Sequence, residues 1–146
     1  MCYNQNIDKT IGCEYELIII DNSKNKYSIF EAYNLGIEKS VGSFLCFIHD
    51  DILFHSQNWG AILTSIFKSN DTIGLIGVAG SKVKTKMPSA WWDCNEEDRV
   101  INIIQNFNNE DKEIQNYGFE SEQNVEVKVI DGVLMAIRND KQILFE

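Results

Sequence analysis

Two short polar clusters in this 146-residue chain draw attention because each ends an apolar run. Tyr15–Ile20 reads Y-E-L-I-I-I and stops at Asp21-Asn22-Ser23. Phe44–Ile48 reads F-L-C-F-I and stops at His49-Asp50-Asp51. Adjacent carboxylates repel each other, and at the end of a buried strand they are costly unless a cation compensates. The second cluster therefore points to a bound cation. The first has a simpler competing reading, because Asp, Asn and Ser favour turns whether or not a ligand is present.

Both apolar runs are short and end in polar residues, and the first is also β-branched, the pattern of buried strands. Between them, Ser28 is a helix cap with Glu31 three residues on, as in a capping box. Ile29, Tyr33 and Ile37 follow at helical spacing, and Gly42 is a plausible stop. Asn58–Phe67 reads as a second helix with Ile62 and Ile66 on one face, and Ile73–Val78 as a third buried strand. Strand and helix alternate, which predicts an α/β fold with a mostly parallel sheet and flanking helices. Tyr15–Ile20, Phe44–Ile48 and Ile73–Val78 are its expected central strands. In such a sheet ligands bind beyond the carboxyl ends of the strands, so parallel strands would bring both clusters to one rim.

Further along, Ala79–Asp98 breaks the pattern and holds the only proline, Pro88, and the pair Trp91-Trp92. A loop of that length in a compact domain is usually functional or mobile. Asn102–Glu126 is rich in Asn, Gln and Glu; its first part fits either a helix or a strand, and its middle reads as an exposed excursion. Val125–Ile130 and Val133–Ile137 read as two more strands about Asp131-Gly132. No internal repeat or linker divides the chain, so a single domain over 1–146 is expected.

The net charge of −9, with no basic stripe, argues against DNA or RNA as partner. A phosphate-bearing small molecule remains compatible, since a metal ion or helix N-terminus supplies local positive charge. Cys2, Cys13, Cys46 and Cys94 fit neither a CxxC pair nor a zinc pattern and read as reduced thiols, Cys46 as a buried one. Met1–Thr10 is polar and lacks the apolar stretch of a signal peptide, and no run approaches the roughly 20 residues that span a bilayer. The expected location is cytoplasmic, at most at the inner face of a membrane.

The order of motifs resembles family 2 glycosyltransferases of the GT-A (Rossmann-like) fold. These run from an apolar strand through a D-D-x-S or D-N-x-S turn, a helix ending in N-x-G and a second apolar strand to D-x-D. Here the chain reads Y-E-L-I-I-I-D-N-S and then A-Y-N-L-G-I-E-K-S-V-G-S-F-L-C-F-I-H-D-D. Counting from Asn34 of N-x-G places His49, Asp50 and Asp51 on the three D-x-D positions. His49 departs from the usual Asp and resembles a subgroup with H-x-D. N-W-G at Asn58–Gly60, I-G-L-I-G-V-A-G-S at Ile73–Ser81 and V-I-D-G-V-L-M at Val129–Met135 support that subgroup.

The resemblance implies inverting transfer of a sugar from a nucleotide sugar, most readily a UDP-sugar, to a hydroxyl of a glycan or other acceptor. The setting it implies is synthesis of a polysaccharide or glycoconjugate. A divalent ion bridging the leaving diphosphate would stabilise its growing charge. Mn²⁺ accepts imidazole and carboxylate whereas Mg²⁺ prefers oxygen, so Mn²⁺ suits the set better, with Asp51 its first ligand and His49 its second. Asp50, Asp21, Asn22, Ser23 and Asn34 are the expected nucleotide-sugar contacts, and Gly36 serves close helix packing. His55 reads as an exposed loop residue. Trp91 and Trp92 could stack on a sugar or pack a lid. Lys82, Lys84 and Lys86 could close over phosphates or simply be solvated.

Enzymes of this kind usually open with one more strand and place the acceptor base after a strand like Val133–Ile137. The resemblance thus implies a chain incomplete at both ends, with an exposed apolar edge at Tyr15–Ile20 that favours self-association. Asp131 is the nearest carboxylate for the base. Two rivals stand beside transfer. One is an inactive domain that binds nucleotide or a partner. The other is a sugar nucleotidyltransferase, which would need a Gly-rich N-terminal loop that Met1–Ile11 does not offer.

Overall fold

A computed structural model describes residues 3–107, 111–119, 124–141 and 143–146. The chain forms two compact units, one of Met1–Ile76 with Ala136–Glu146 and one of Gly77–Met135.

The first unit begins with helix α1 (Tyr3–Thr10), then helix α2 (Ile29–Lys39), strand β1 (Phe44–Ile48) and helix α3 (Trp59–Ser69). The capping box predicted for α2 is present. Ser28 Oγ accepts from the Glu31 N–H at 3.2 Å, and the Glu31 carboxylate accepts from the Ser28 N–H at 2.7 Å. At the core, Ile7 and Ile11 of α1 pack with Trp59 of α3, and Cys46, Ile48, Phe54 and Leu63 close around them. Phe67 is fully buried and stacks on Phe44 with ring centroids 5.1 Å apart. Arg138 seals the end of α3, donating to the carbonyls of Phe67 at 2.5 Å, Asn70 at 3.0 Å and Ile73 at 3.2 Å. A cation at a helix C-terminus also complements the helix dipole.

Strands β2 (Leu75–Gly77) and β7 (Leu134–Arg138) join β1 in a three-stranded sheet of order β1-β7-β2. The Asn139 N–H bonds the Ser43 carbonyl at 3.0 Å, linking the end of β7 to the start of β1. That contact fits an antiparallel pair. Arg138 likewise reaches Ile73, just ahead of β2, while a Cβ on Gly77 would lie 3.3 Å from the Leu134 carbonyl. β7 thus runs against both neighbours.

The second unit is a four-stranded antiparallel sheet of order β5-β4-β3-β6, built from β3 (Ala79–Ser81), β4 (Arg99–Phe107), β5 (Asp111–Tyr117) and β6 (Val129–Ile130). Gly80 is required where β3 meets β6, because a Cβ there would sit 2.3 Å from the Val129 carbonyl.

Several expectations need correction. The fold is mixed α/β with antiparallel sheets, not a mostly parallel one, because β7 returns between β1 and β2 and the second unit is built from antiparallel pairs. Phe44–Ile48 forms β1 but at an edge, and Ile73–Val78 supplies only Leu75–Gly77 at the other edge, with β7 in the centre. Tyr15–Ile20 forms no strand. Its sequence favours extended backbone, but a strand also needs a neighbour's N–H and C=O groups, and among the described residues no ladder engages this segment. Ile18 and Ile20 are half-buried while Ile19 is 70% exposed. The supposed loop after Ala79 contains β3, and Arg99–Phe107 and Asp111–Tyr117 pair as antiparallel strands. Val100, Ile101, Ile103 and Ile104 explain that choice, since β-branched residues suit a pleated surface.

Candidate functional site

Helix α1 does more than fill the core. The Asn6 side chain donates to the Phe54 carbonyl at 3.0 Å and accepts from the Phe54 N–H at 2.7 Å. Phe54 stacks on Trp59 at 3.8 Å, and the Trp59 indole N–H donates to Thr10 Oγ1 at 3.0 Å. Trp59 in turn needs Gly60 beside it, where any Cβ would fall 2.5 Å from Ile11 Cγ1. The N-W-G motif is therefore a packing device that fixes the chain just downstream of the acidic turn. Gly36, expected to serve close packing, does not: a Cβ there would have an ordinary 4.0 Å contact with Phe47.

His49, Asp50 and Asp51 follow β1 directly and are exposed. No hydrogen bond or ion pair among the described residues engages their side chains. Nor does any group of three or more His, Cys, Asp or Glu that could hold a metal ion by itself gather among the described residues. One imidazole and two carboxylates on an open turn still match a cation that draws most of its ligands from a bound nucleotide. Mg²⁺-type sites commonly use one or two carboxylates plus substrate phosphates.

The Asp21–Ser23 cluster is a closed loop. Asp21 Oδ1 accepts from the Ser23 N–H at 3.0 Å, and this bond holds the Asp21 carboxyl below the usual range. The Asn22 amide donates to the Tyr27 carbonyl at 2.8 Å and accepts from the Tyr27 N–H at 2.9 Å. Asn34 makes the same double contact with Phe145, donating at 3.0 Å and accepting at 2.9 Å. Phe145 also packs against Phe30, Tyr33 and Phe47. The two amides expected at the nucleotide are thus engaged inside the protein, while Asp21 and Ser23 remain exposed.

A cavity of about 980 Å³ lies in the first unit, lined by Leu17–Ile20 on one side and Phe44–Ile48 on the other, with Asp50 also on its wall. Cys46 faces this apolar interior, and burial pushes its thiol up to about 12. It is an inert packing residue, as the sequence suggests. His55 is exposed, as expected.

Asp131 belongs to the second unit, directly after β6. It accepts from the Trp91 indole N–H at 2.6 Å on one oxygen and from the Val133 N–H at 2.7 Å on the other. Trp91 and Trp92 meet edge to face at 5.6 Å. The turn that carries them is closed by the Asp93 carboxylate on the Ala90 N–H at 3.0 Å and by the Cys94 N–H on the Trp92 carbonyl at 2.9 Å. Lys84 donates to the Ser89 carbonyl and hydroxyl, both at 2.9 Å, so it braces this loop. No pattern at the sequence level marks the pairing of Trp91 with Asp131, 40 residues apart. Among the described residues no helix is long and apolar enough to cross a membrane.

Over residues 1–143 the sequence matches a family described as glycosyltransferase like. No curated protein and no solved structure matches it. The match extends across both units, from α1 to the segment after β7, and the acidic turn and the Asp21–Ser23 loop both lie within it. The chain belongs to this glycosyltransferase-like family.

Proposed function

We propose that the protein transfers a sugar from a UDP-sugar to an acceptor hydroxyl, with inversion, using the exposed turn His49–Asp51 to hold a divalent ion. The observation that carries this reading is the turn itself. It carries one imidazole and two carboxylates just after β1, free of partners among the described residues and braced by Asn6 and Phe54, in a chain of a glycosyltransferase-like family. Asp51 and then His49 would hold Mn²⁺, or Mg²⁺ with less contribution from the imidazole. Such an ion supplies positive charge to the leaving diphosphate. Asp50, Asp21 and Ser23 would meet the nucleotide sugar, while Asn22 and Asn34 hold the Tyr27 loop and the Phe145 tail. In the reaction the acceptor oxygen bonds to the anomeric carbon as the bond to the diphosphate breaks. The nucleoside diphosphate leaves with the electron pair, and the hydroxyl proton passes to a carboxylate base.

Thermal unfolding with UDP-, GDP- and CMP-sugars, each with and without Mn²⁺, tests the reading. A ligand at 100 times its Kd adds about 2.7 kcal/mol of stability. A rise in Tm with a UDP-sugar that needs Mn²⁺ is the expected result, and no rise with any of the three refutes the donor site. The engaged amides of Asn22 and Asn34 favour one rival, an inactive domain that transfers no sugar. Mn²⁺-dependent binding with no sugar released or transferred would select it.

A further inference from the structure

We infer that Trp91, Trp92 and Asp131 form a pyranose-binding platform in the second unit, and that it receives the acceptor saccharide; only the acceptor role rests on the proposed transferase reading. Sugar rings offer two chemistries at once. Their C–H faces lie flat on aromatic rings, and their hydroxyls donate to carboxylates. Both features meet here. Trp92 is 52% exposed, far more than a core indole, and stands edge to face with Trp91. Trp91 in turn grips Asp131 through its indole N–H.

The carboxylate is fixed but not saturated. An ionised carboxylate has about four lone-pair sites, and Asp131 uses one on Trp91 and one on Val133. The remaining sites can accept ligand hydroxyls from a group whose orientation is already set. The aromatic side is equally fixed. Asp93 binds the Ala90 N–H, the Cys94 N–H binds the Trp92 carbonyl, and Arg99 donates to the Cys94 carbonyl at 3.2 Å. Rigid aromatic anchors beside a prearranged acceptor lower the ordering cost of binding.

The test uses the whole chain with the Trp91 indole N–H followed by NMR. Methyl glycosides of glucose, galactose and N-acetylglucosamine are titrated separately without nucleotide or metal. Saturable movement of this resonance with at least one of them is expected. Trp92→Ala should weaken that binding roughly tenfold and Asp131→Asn at least about fivefold. Trp92→Ala removes an exposed side chain and tests the idea even where Asp131→Asn unfolds the turn. No saturable movement with any glycoside, or undiminished binding by Trp92→Ala, overturns the platform. UDP with Mn²⁺ is titrated in parallel. Glycoside binding without UDP binding would sink the donor site alone, and the reverse would sink the platform alone.

Discussion

Asp51 and Asp131 are both carboxylates set just beyond a strand, yet their surroundings differ. Asp131 takes a hydrogen bond on each oxygen from its own unit. Asp51 sits on an exposed turn whose side chains meet no partner among the described residues. An acceptor already fixed by neutral donors suits neutral hydroxyls. An unpaired carboxylate next to a second one suits a cation, since each added negative charge disfavours the turn until something positive arrives. The difference teaches that proximity to a strand end is not enough to assign a role. What already occupies the oxygens decides which ligand chemistry is left.

The strongest way to break the comparison is Asp51→Asn. It keeps size and hydrogen bonding but removes the charge, and it should weaken Mn²⁺-dependent UDP-sugar binding on the order of a hundredfold, about 2.7 kcal/mol. The apo fold should persist and could gain stability as Asp50 loses a repelling neighbour. His49→Ala should cost less if the imidazole only orients a phosphate, and a comparable amount if it is a ligand. Asp50→Asn should matter least, because Asp50 is not one of the two expected metal ligands. Calorimetric titration at fixed Mn²⁺ ranks the three, and unchanged binding by the Asp51 variant would remove the metal assignment.

Next in size is Asn6→Ala. It strips both bonds to Phe54 and leaves two backbone groups of that residue without them, for a loss of about 2 kcal/mol in urea unfolding. Metal-dependent binding should weaken with it, because the acidic turn loses its downstream anchor. Full binding with lowered stability would show that the open turn needs no brace. Asn22→Ala and Asn34→Ala should each cost about 1 kcal/mol, with Asn34→Ala also speeding amide exchange at Phe145. If either one abolished nucleotide binding out of proportion to stability, its amide would be a ligand after all.

The smallest effect is a dependence on pH. Glu16 accepts from the Val41 and Gly42 N–H groups, which holds its carboxyl below the ordinary glutamate value. A depressed folded value means the stabilisation is present above the unfolded pKa and lost as pH falls through the folded one. Exchange at Val41 and Gly42 should therefore accelerate on the acid side, relative to neighbours, and Glu16→Gln should flatten that response.

Much of the first unit was legible. Ser28 and Glu31 act within three residues, so the capping box could be read directly, and the F-L-C-F-I run gave β1 because it is short and followed by charge. The sheet direction was not legible. An apolar run states that a strand is buried but not which way its neighbour runs, and β7 enters beside β1 from some ninety residues away. Tyr15–Ile20 shows the same limit, since its residues specify extension while pairing depends on another segment. In the site, the types His49, Asp50 and Asp51 were visible as chemistry. The reach of Trp91 to Asp131 and of Asn6 to Phe54 was not, because nothing local in either stretch encodes a partner 40 or 48 residues distant.

Three asparagines use the same two-bond grip, each on the backbone of one aromatic residue: Asn22 on Tyr27, Asn6 on Phe54 and Asn34 on Phe145. Their separations along the chain are 5, 48 and 111 residues. Closing a loop costs entropy that grows with the logarithm of its length, so the steps between these grips differ by only a few kcal/mol even for a freely flexible chain. That ordering still gives assembly a direction. The Asn22 loop can close on its own as soon as its few residues are free. The Asn6 grip waits for β1 and the turn beyond it. The Asn34 grip needs the returning strand β7 in place before Phe145 can arrive, which makes it the natural last latch and the first to open when the unit is strained.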